Sequence, residues 1–575
     1  MDGEKKSTTV FTSSSIHSGT ESEQSLNKNF LNRTLFNEAK LLTDAGNVIA
    51  GDGQIILNQK FEKENENIFK DPQVAKFFEN LYEESQYECR SEFDPDFEWT
   101  KEEEKKLLRK LDWRVCLWAC IMFVGLQIDR GNLAQAVSDN MLDDLKITTN
   151  DYNNGGTVFL CSFLAAELPS QLISKKIGPD RWIPMQITLW SIVAMSQAAI
   201  SGKASFYATR ALLGLLEGGF IPDIVLWLSY FYTSQELPIR LSYFWTTLSL
   251  TQILTSLLAF GLLRMRGIHG MEGWRWLFLI EGLITLLIGL VSFFKMPASA
   301  VQTKSRFNKK GWFTDKEQKI VVNRVLRDDP YKGDMHNREA LSFKVLWNTM
   351  LDYDLWPLYI IGLIAYIPPT PISNYMTLTL KALGFSTFNT NLLTIPYNLL
   401  HIITLLGICR LSDYFKERSL VSLIQPFWIL PCLFVLRFWP GSQVKAWETF
   451  AVTTILLGYP YIHAILVGWS SANSSSVATR TVSASLYNMM VQLGNVFATQ
   501  IYRADDKPLY KRGNRNLIII NFLVIGSIIF TKFYYLWRNK TKEAKWNSMN
   551  EQERYEYLAT TTDKGNKSLD FRFVH

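Results

Sequence analysis

Cysteine is scarce in this chain of 575 residues, and none of its six cysteines sits in a metal or disulfide framework. Cys116, Cys120, Cys161, Cys409 and Cys432 fall inside apolar stretches, where a thiol behaves as a small hydrophobe, and Cys89 falls in a polar tail. Cys116 and Cys120 are four positions apart, but no second pair completes a tetrahedral metal site. A glycine-rich phosphate cradle is missing, and no serine, histidine and acid fall in a recognisable catalytic context. ATP-driven pumping and hydrolysis therefore have no visible machinery, and neither enzyme activity nor a cofactor is expected. Concentrated positive charge is missing too: the net charge of +6 is spread between apolar blocks, which argues against a nucleic-acid partner. The N-terminal stretch lacks the apolar core of a signal peptide, so the first membrane span is expected to act as its own targeting signal.

Apolar and aromatic side chains are abundant instead. Aromatics make up 13% of the chain, and mean hydropathy is +0.00 only because polar ends dilute a very apolar middle. The stretch that organises the rest runs from Phe206 to Tyr232, FYATRALLGLLEGGFIPDIVLWLSYFY. It is long enough to cross a bilayer, for which roughly 20 apolar residues suffice. Yet it carries Arg210, Glu217 and Asp223. Each charge at membrane depth costs at least ~2.5–3.5 kcal/mol, so such residues usually face a bundle interior or a wet pathway. Arg210 and Glu217 share nearly one helix face, and Gly214, Gly218 and Gly219 let a neighbouring helix approach closely. An ionisable face beside small packing positions predicts a route for a polar solute, hence a transporter.

The pattern predicts an all-α membrane protein with twelve spans, near 114–136, 154–174, 182–201, 206–230, 240–263, 274–295, 355–380, 391–411, 419–438, 447–469, 480–501 and 516–537. The domains expected are a disordered cytosolic tail (1–98), a six-helix bundle (99–295), a cytosolic central loop with short helices (296–354), a second six-helix bundle (355–538) and a cytosolic C-terminal tail (539–575). Thr100 with Glu103, and Thr314 with Glu317, are capping boxes that predict two helices outside the spans, the first along the membrane surface. Basic residues near the spans place the pre-span cluster, Lys175, Lys176, Arg181, Lys416 and Arg418 on one side, so both termini are expected in the cytosol. Two loops go against that bias, 264–275 with Arg264, Arg266 and Arg275, and 503–515. The sequons at Asn32, Asn473, Asn539 and Asn566 are then cytosolic and unused.

Candidate chemistry concentrates in the first and fourth spans. Arg130 suits bidentate binding of a carboxylate, sulfonate or sulfate, Asn132 adds a hydrogen bond, and Asp129 is a proton site or a brake on Arg130. The alternative is an intramembrane ion pair that only orients helices. Arg210 is a second anion contact or a snorkelling interface residue. Glu217 lies deeper and is the preferred proton site, and Asp223 stands closer to the inner gate. Glu167 in ELPSQ, with Asp180 in KKIGPDRW, reads as a charge latch between helices. Glu281 is open between transport and a structural salt bridge, and His401 and His463 between proton carriage and plain hydrogen bonding. Prolines in IPPTPIS and the glycine and proline of GYPY predict broken helices in the seventh and tenth spans, with Tyr366, Tyr375, Tyr459 and Tyr461 beside them.

Residues 100–545 resemble the major facilitator superfamily, in its anion:cation symporter branch with the fungal allantoate permease family. The matching elements are Asp129-Arg130-x-Asn132, ELPSQ with KKIGPDRW, TRALLGLLEGGFIPD, GWRWLFLIEG and the RLSDYFKER loop with Arg410, Asp413 and Arg418. The resemblance implies two six-helix bundles, alternating access and proton-driven uptake of an anion at the plasma membrane, by a monomer embedded in the lipid bilayer. It places Arg130, Asn132 and Arg210 at the substrate, Glu217 and Asp129 at the proton, and Glu167, Asp180 and Asp413 at the gates. The glycine-proline motif of drug antiporters and the proline-glutamate-serine signature of sugar porters are both absent. The run from LDWRVCLWACIMF to KKIGPDRWIP is similar to fungal alternative sulfur-source transporters, which implies sulfate, a sulfonate or choline sulfate as substrate. Allantoate, pantothenate, nicotinate or biotin carriers, a drug or metabolite exporter and a nutrient sensor are the alternatives.

Overall fold

The computed structural model describes residues 39–50, 55–56, 67–233, 236–304, 311–333, 347, 350–474, 477–550, 553, 557, 565–569 and 571–575. Three short strands, β1 (Ala39–Leu42), β2 (Val48–Ala50) and β3 (Ile55–Ile56), pair antiparallel in sequence order. Helix α1 (Pro72–Glu84) follows, started by Asp71, whose side chain accepts from the Gln73 amide. The expectation of a disordered tail over 1–98 therefore fails for residues 39–50, 55–56 and 67–98, while 1–38, 51–54 and 57–66 lie outside the described residues. Composition hid the cause: Val74, Phe78 and Tyr82 recur at helical spacing and are buried with Phe69. Phe93 closes the cluster edge-on, 5.0 Å from Phe69 and 5.1 Å from Tyr82.

Helix α2 (Lys101–Leu111) opens on the predicted Thr100–Glu103 capping box. It continues through a π-turn at 112–116 into α3 (Leu117–Ser138). The first half then runs through α4 (Thr149–Ile177), α5 (Pro179–Ser196), α6 (Lys203–Glu217), α7 (Phe220–Ser229), α8 (Leu237–Leu262) and α9 (Gly273–Lys295). Helix α10 (Asp315–Asp328), started by the Thr314–Glu317 capping box, binds the N-terminal segment to this half. Its Asn323 donates to the Glu92 carbonyl at 2.8 Å, and its Arg324 pairs with Glu236 at 2.7 Å.

The second half comprises α11 (Trp356–Ile364), α12 (Thr370–Ala382), α13 (Ile395–Phe415), α14 (Ile424–Phe438), α15 (Ala446–Leu457), α16 (His463–Asn473), α17 (Val477–Thr499) and α18 (Lys511–Asn547). Helices thus occupy all twelve predicted segments. Among the described residues, seven helices are long and apolar enough to cross a membrane. The predicted breaks account for part of the difference: α11 gives way to α12 around Pro368 and Pro369, and α15 to α16 around Pro460. Other segments carry polar side chains among the apolar ones, as in α4 with Asn153, Asn154 and Thr157 and in α17 with Gln492 and Asn495.

The fourth span is also broken, which the sequence reading missed. Helix α6 ends at Glu217, Gly219 takes φ +88°, and α7 begins at Phe220. The close approach expected of the glycines is present. A Cβ on Gly214 would stand 2.3 Å from the Phe159 carbonyl, and one on Gly219 would stand 2.3 Å from Ser170 Oγ. Left-handed backbone alone costs a side chain about 1–3 kcal/mol. Gly219→Val is therefore expected to lower the yield of monodisperse protein in detergent, measured by fluorescence size exclusion. Gly526→Ala, where an added Cβ meets nothing within 4 Å, is expected to leave that yield unchanged.

The loops that argued against the charge bias are paired. Arg266 reaches Asp144 at 2.9 Å and Asp139 at 3.9 Å, and Arg512 reaches Asp505 at 2.7 Å. At the other end the C-terminal residues dock on the second half. Asn473 and Asn539 exchange hydrogen bonds of 2.8–3.0 Å with the Val574 and Phe573 backbones, and Phe573 stacks 5.0 Å from Tyr535. Lys567 Nζ sits 2.6 Å from both Asp352 and Asp354. The sequon asparagines Asn473, Asn539 and Asn566 thus have their amides engaged in this docking.

Burial pushes the Asp354 carboxyl up, but hydrogen bonds from Lys567, Tyr534 and Arg538 outweigh it and hold the group below its ordinary value. A depressed carboxylate contributes stability above its unfolded value of about 3.9, lost as pH falls through the folded one. Asp354→Asn should therefore destabilise by about 1–3 kcal/mol at neutral pH. Thermal-unfolding midpoints should show that loss shrinking only in strong acid.

Candidate functional site

A cavity of about 440 Å³ lies between the two halves. Helix α3 supplies Arg130 and Gln135 to it, α4 supplies Asn153 and Phe159, α6 supplies Arg210, and α8 supplies Gln252. The second half faces them with Thr370, Asn374, Asn398, His401, Tyr459 and Asn495. At one end a row of hydrogen bonds closes the halves together. Tyr375 donates to Asn153 at 2.7 Å, Thr377 to the Ala134 carbonyl at 2.5 Å, and Lys381 to the Ser138 carbonyl at 2.7 Å. Ser256 meets Thr394 at 2.6 Å, and Gln500 donates to Thr157 at 2.7 Å.

Arg130 Nε donates to Glu217 Oε2 at 2.7 Å, joining residues 87 positions apart. The Arg130 side chain is 20% exposed, toward the cavity, and Glu217 is 1% exposed behind it. Phe159 carries both guanidinium groups, with Arg210 4.6 Å and Arg130 5.7 Å from its ring centre, and Phe163 lies 4.8 Å from Arg130. Such cation–π contacts are worth about 0.5–2 kcal/mol each and fix the planes of the two groups. Arg130 Nη2, Arg210 Nε and Arg210 Nη1 are buried donors without a partner, as is the acceptor Glu217 Oε1. Unsatisfied buried donors are costly, about 1–3 kcal/mol each and more for charged groups, so an anion placed there gains what they lack.

Among the described residues, no aspartate or glutamate lines the cavity. Its wall carries the positive charge of Arg130 and Arg210, and Glu217 lies behind it, paired with Arg130. Asp129 turns to the far side of α3, fully buried, where it accepts from Trp190 Nε1 at 3.1 Å. Asn132, also fully buried, is not part of the lining. The structure therefore brings Arg130, Arg210 and Glu217 together and sets Asp129 and Asn132 behind them.

The expected gate residues are more dispersed. Asp223 accepts from Ser170 Oγ at 3.5 Å, and that hydroxyl also receives Trp182 and Gln186 at 2.9 Å each. The hub beside the Gly219 break is thus built largely of neutral groups. Glu167 is buried on α4, and Asp180 lies 4.0 Å from Arg181 in the first turn of α5. The Asp413 side chain lies outside the described residues, and Arg418 donates to the Gly468 carbonyl at 2.5 Å. His401 lines the cavity 5.0 Å from the Tyr459 ring, and His463 stacks on Tyr461 at 5.5 Å. The carboxamides Gln252, Asn374, Asn398 and Asn495 were not singled out from the sequence. Their one signal was their presence inside apolar spans.

Residues 119–499 match the family described as Major Facilitator Superfamily. The chain belongs to that superfamily. It is a multi-pass membrane transporter, not an enzyme. The uncharacterized transporter YIL166C of Saccharomyces cerevisiae is 49% identical over 521 residues, covering 90% of this chain and 96% of that one. The major facilitator-type transporter hxnP of Emericella nidulans is 27% identical over 416 residues, 71% of this chain and 81% of its own. A bacterial homologue of the human lysosomal transporter Spinster, solved inward-facing and unoccupied, superposes with a TM-score of 0.56 at 13% identity. It covers 75% of this chain and 98% of its own. That likeness is one of fold.

Proposed function

We propose that this transporter is a proton-coupled symporter importing a small anion across the plasma membrane, with a sulfur compound (sulfate, a sulfonate or choline sulfate) as the leading substrate. The observation that carries the anion reading is a cavity whose lining, among the described residues, holds Arg130 and Arg210 and no carboxylate. The planar guanidinium fork suits the oxygens of a sulfonate, sulfate or carboxylate. All twelve segments span in this reading, both termini are cytosolic, and the hydrogen-bonded end of the halves is the outer one, so the cavity belongs to the inward-facing state. Outward-facing, the protein accepts the anion on Arg130 and Arg210 and a proton on Glu217. Binding both lowers the electrostatic cost of closing around charge, and the return swing releases them to the cytosol.

A second reading, a carboxylate or vitamin permease for allantoate, pantothenate, nicotinate or biotin, is favoured by size. A cavity of about 440 Å³ lies in the range of organic ligands, and its amide-rich far wall offers hydrogen bonds to an organic body. Growth of a strain lacking its own carriers, complemented with this chain, on sulfate, sulfonates, allantoate or each vitamin as sole source decides between them. Growth on none of the anions overturns the anion reading. Labelled flux out of vesicles under an imposed proton gradient would mark an exporter, and binding without flux a nutrient sensor.

A further inference from the structure

Two of the hydrogen bonds that close the halves together are rungs of one ladder between α3 and α12. Thr377 Oγ1 donates to the Ala134 carbonyl at 2.5 Å. One turn further along both helices, Lys381 Nζ donates to the Ser138 carbonyl at 2.7 Å. One turn in the other direction, Arg130 of α3 and Ser373 and Asn374 of α12 line the cavity, as Ala134 and Thr377 also do. A single seam between the two helices thus runs from the cavity to Lys381. Just over two turns of α3, about 12 Å, separate Ser138 from Arg130.

Ser138 closes α3, so its carbonyl is among the last four that no amide of the helix reaches. The helix dipole leaves that end partly negative, which favours a cation there. Lys381 is half-buried and also donates to Asn140 Oδ1. Thr387 Oγ1 shares the Ser138 carbonyl at 3.1 Å, and Asn391 Nδ2 donates to the Ser138 hydroxyl at 3.0 Å. Both acceptors of Lys381 are therefore neutral oxygens, and both belong to the first half. The carboxylates of the same turn are engaged from within that half or exposed. Arg266 reaches Asp144 at 2.9 Å and Asp139 at 3.9 Å, Asp139 accepts from the Trp274 amide at 3.0 Å, and Asp143 is exposed. Parting the halves at this end removes both acceptors at once. It leaves an ammonium at the mouth of the seam that leads to Arg130.

We propose that Lys381 is an entry site for the transported anion. With this end open it takes the sulfonate, sulfate or carboxylate group from outside and passes it down the seam to Arg130 and Arg210. With this end closed it caps α3 instead. The site rests on the anion reading above, in which this end is the outer one, and extends it. A compact ammonium with three rotatable donors suits a first contact that must change partners, whereas the fixed fork of Arg130 suits the final one. The arriving anion replaces the contacts that opening gives up, so it favours the open state by binding there.

Initial rates of uptake into intact cells test this, with a 35S-labelled alkanesulfonate and with labelled allantoate. Lys381→Gln, whose amide still donates to the Ser138 carbonyl, should raise KM about tenfold and change the maximal rate by less than about twofold. Lys381→Arg keeps the charge and should stay within about threefold of the wild-type KM. Lys381→Cys, modified after it has reached the membrane, separates charge from folding. An aminoethyl methanethiosulfonate added outside should restore its uptake, and the sulfonatoethyl analogue should not, with wild type treated alike as reference. A KM for Lys381→Gln within about twofold of wild type, or equal recovery with both reagents, overturns the entry site and leaves anion binding on Arg130 and Arg210 standing. Wild-type cells that take up neither anion would overturn the anion reading and the entry site together.

Discussion

Arg130→Lys is expected to cut anion uptake roughly 100-fold while the protein still reaches the membrane. Arg130 has two tasks that only a fork performs together: its Nε holds Glu217 at 2.7 Å, and its Nη2, a buried donor without a partner, is left for an anion. An ammonium is a point charge on a flexible stem and serves one partner at a time. Because lysine still neutralises Glu217, the variant escapes the penalty of an uncompensated buried carboxylate, about 3–5 kcal/mol. Arg130→Ala incurs that penalty and is expected to lose protein as well as transport. Initial rates of labelled uptake, normalised to surface protein, separate the two variants. Wild-type uptake by Arg130→Lys would remove Arg130 from the anion site.

Glu217→Gln is expected to abolish accumulation against a gradient and to leave counterflow exchange working. Glutamine keeps the shape and can still accept from Arg130 Nε, but it cannot gain or lose a proton. Exchange needs only the loaded carrier to swing both ways, whereas accumulation needs a proton to be taken up and released in each cycle. The position of Glu217 argues for this division. It closes α6 at the Gly219 break, is 1% exposed, and pairs with Arg130 at the cavity wall. Accumulation that survives in Glu217→Gln vesicles under an imposed gradient would show that the proton travels elsewhere. The fold would be unaffected by that result, since the pair with Arg130 is kept as a hydrogen bond.

Some of the site was legible because intramembrane charge is expensive wherever it falls. Arg130, Arg210 and Glu217 stood out from the sequence on cost alone, and the structure places the two arginines at one cavity wall with Glu217 buried behind Arg130. Asp129 and Asn132 stood out equally and lie behind that wall. One step along a helix turns a side chain by about 100°, so adjacent residues of one motif face different surroundings. The Asn and Gln lining from α8, α12, α13 and α17 carried no comparable signal. A neutral amide in a span has a modest cost, and its value depends on what stands across the cavity. The N-terminal segment shows the same limit in reverse. Its polar composition hid a helical row of Val74, Phe78 and Tyr82 whose partners lie beyond the span that separates them from the linker.

By itself the sequence determined that this chain is a membrane bundle with helices at twelve segments, bent at its prolines and capped where Thr100 and Thr314 stand. Those properties are local, set by apolar run length, by rings without an N–H and by side chains that reach their own backbone. Only the tertiary structure decided which buried charges meet. The Arg130–Glu217 pair spans 87 residues, and the break at Gly219 packs closely against Ser170 on another helix. Neither distance is encoded in any single segment, because each arises where two helices are pressed together by the packing of all the others.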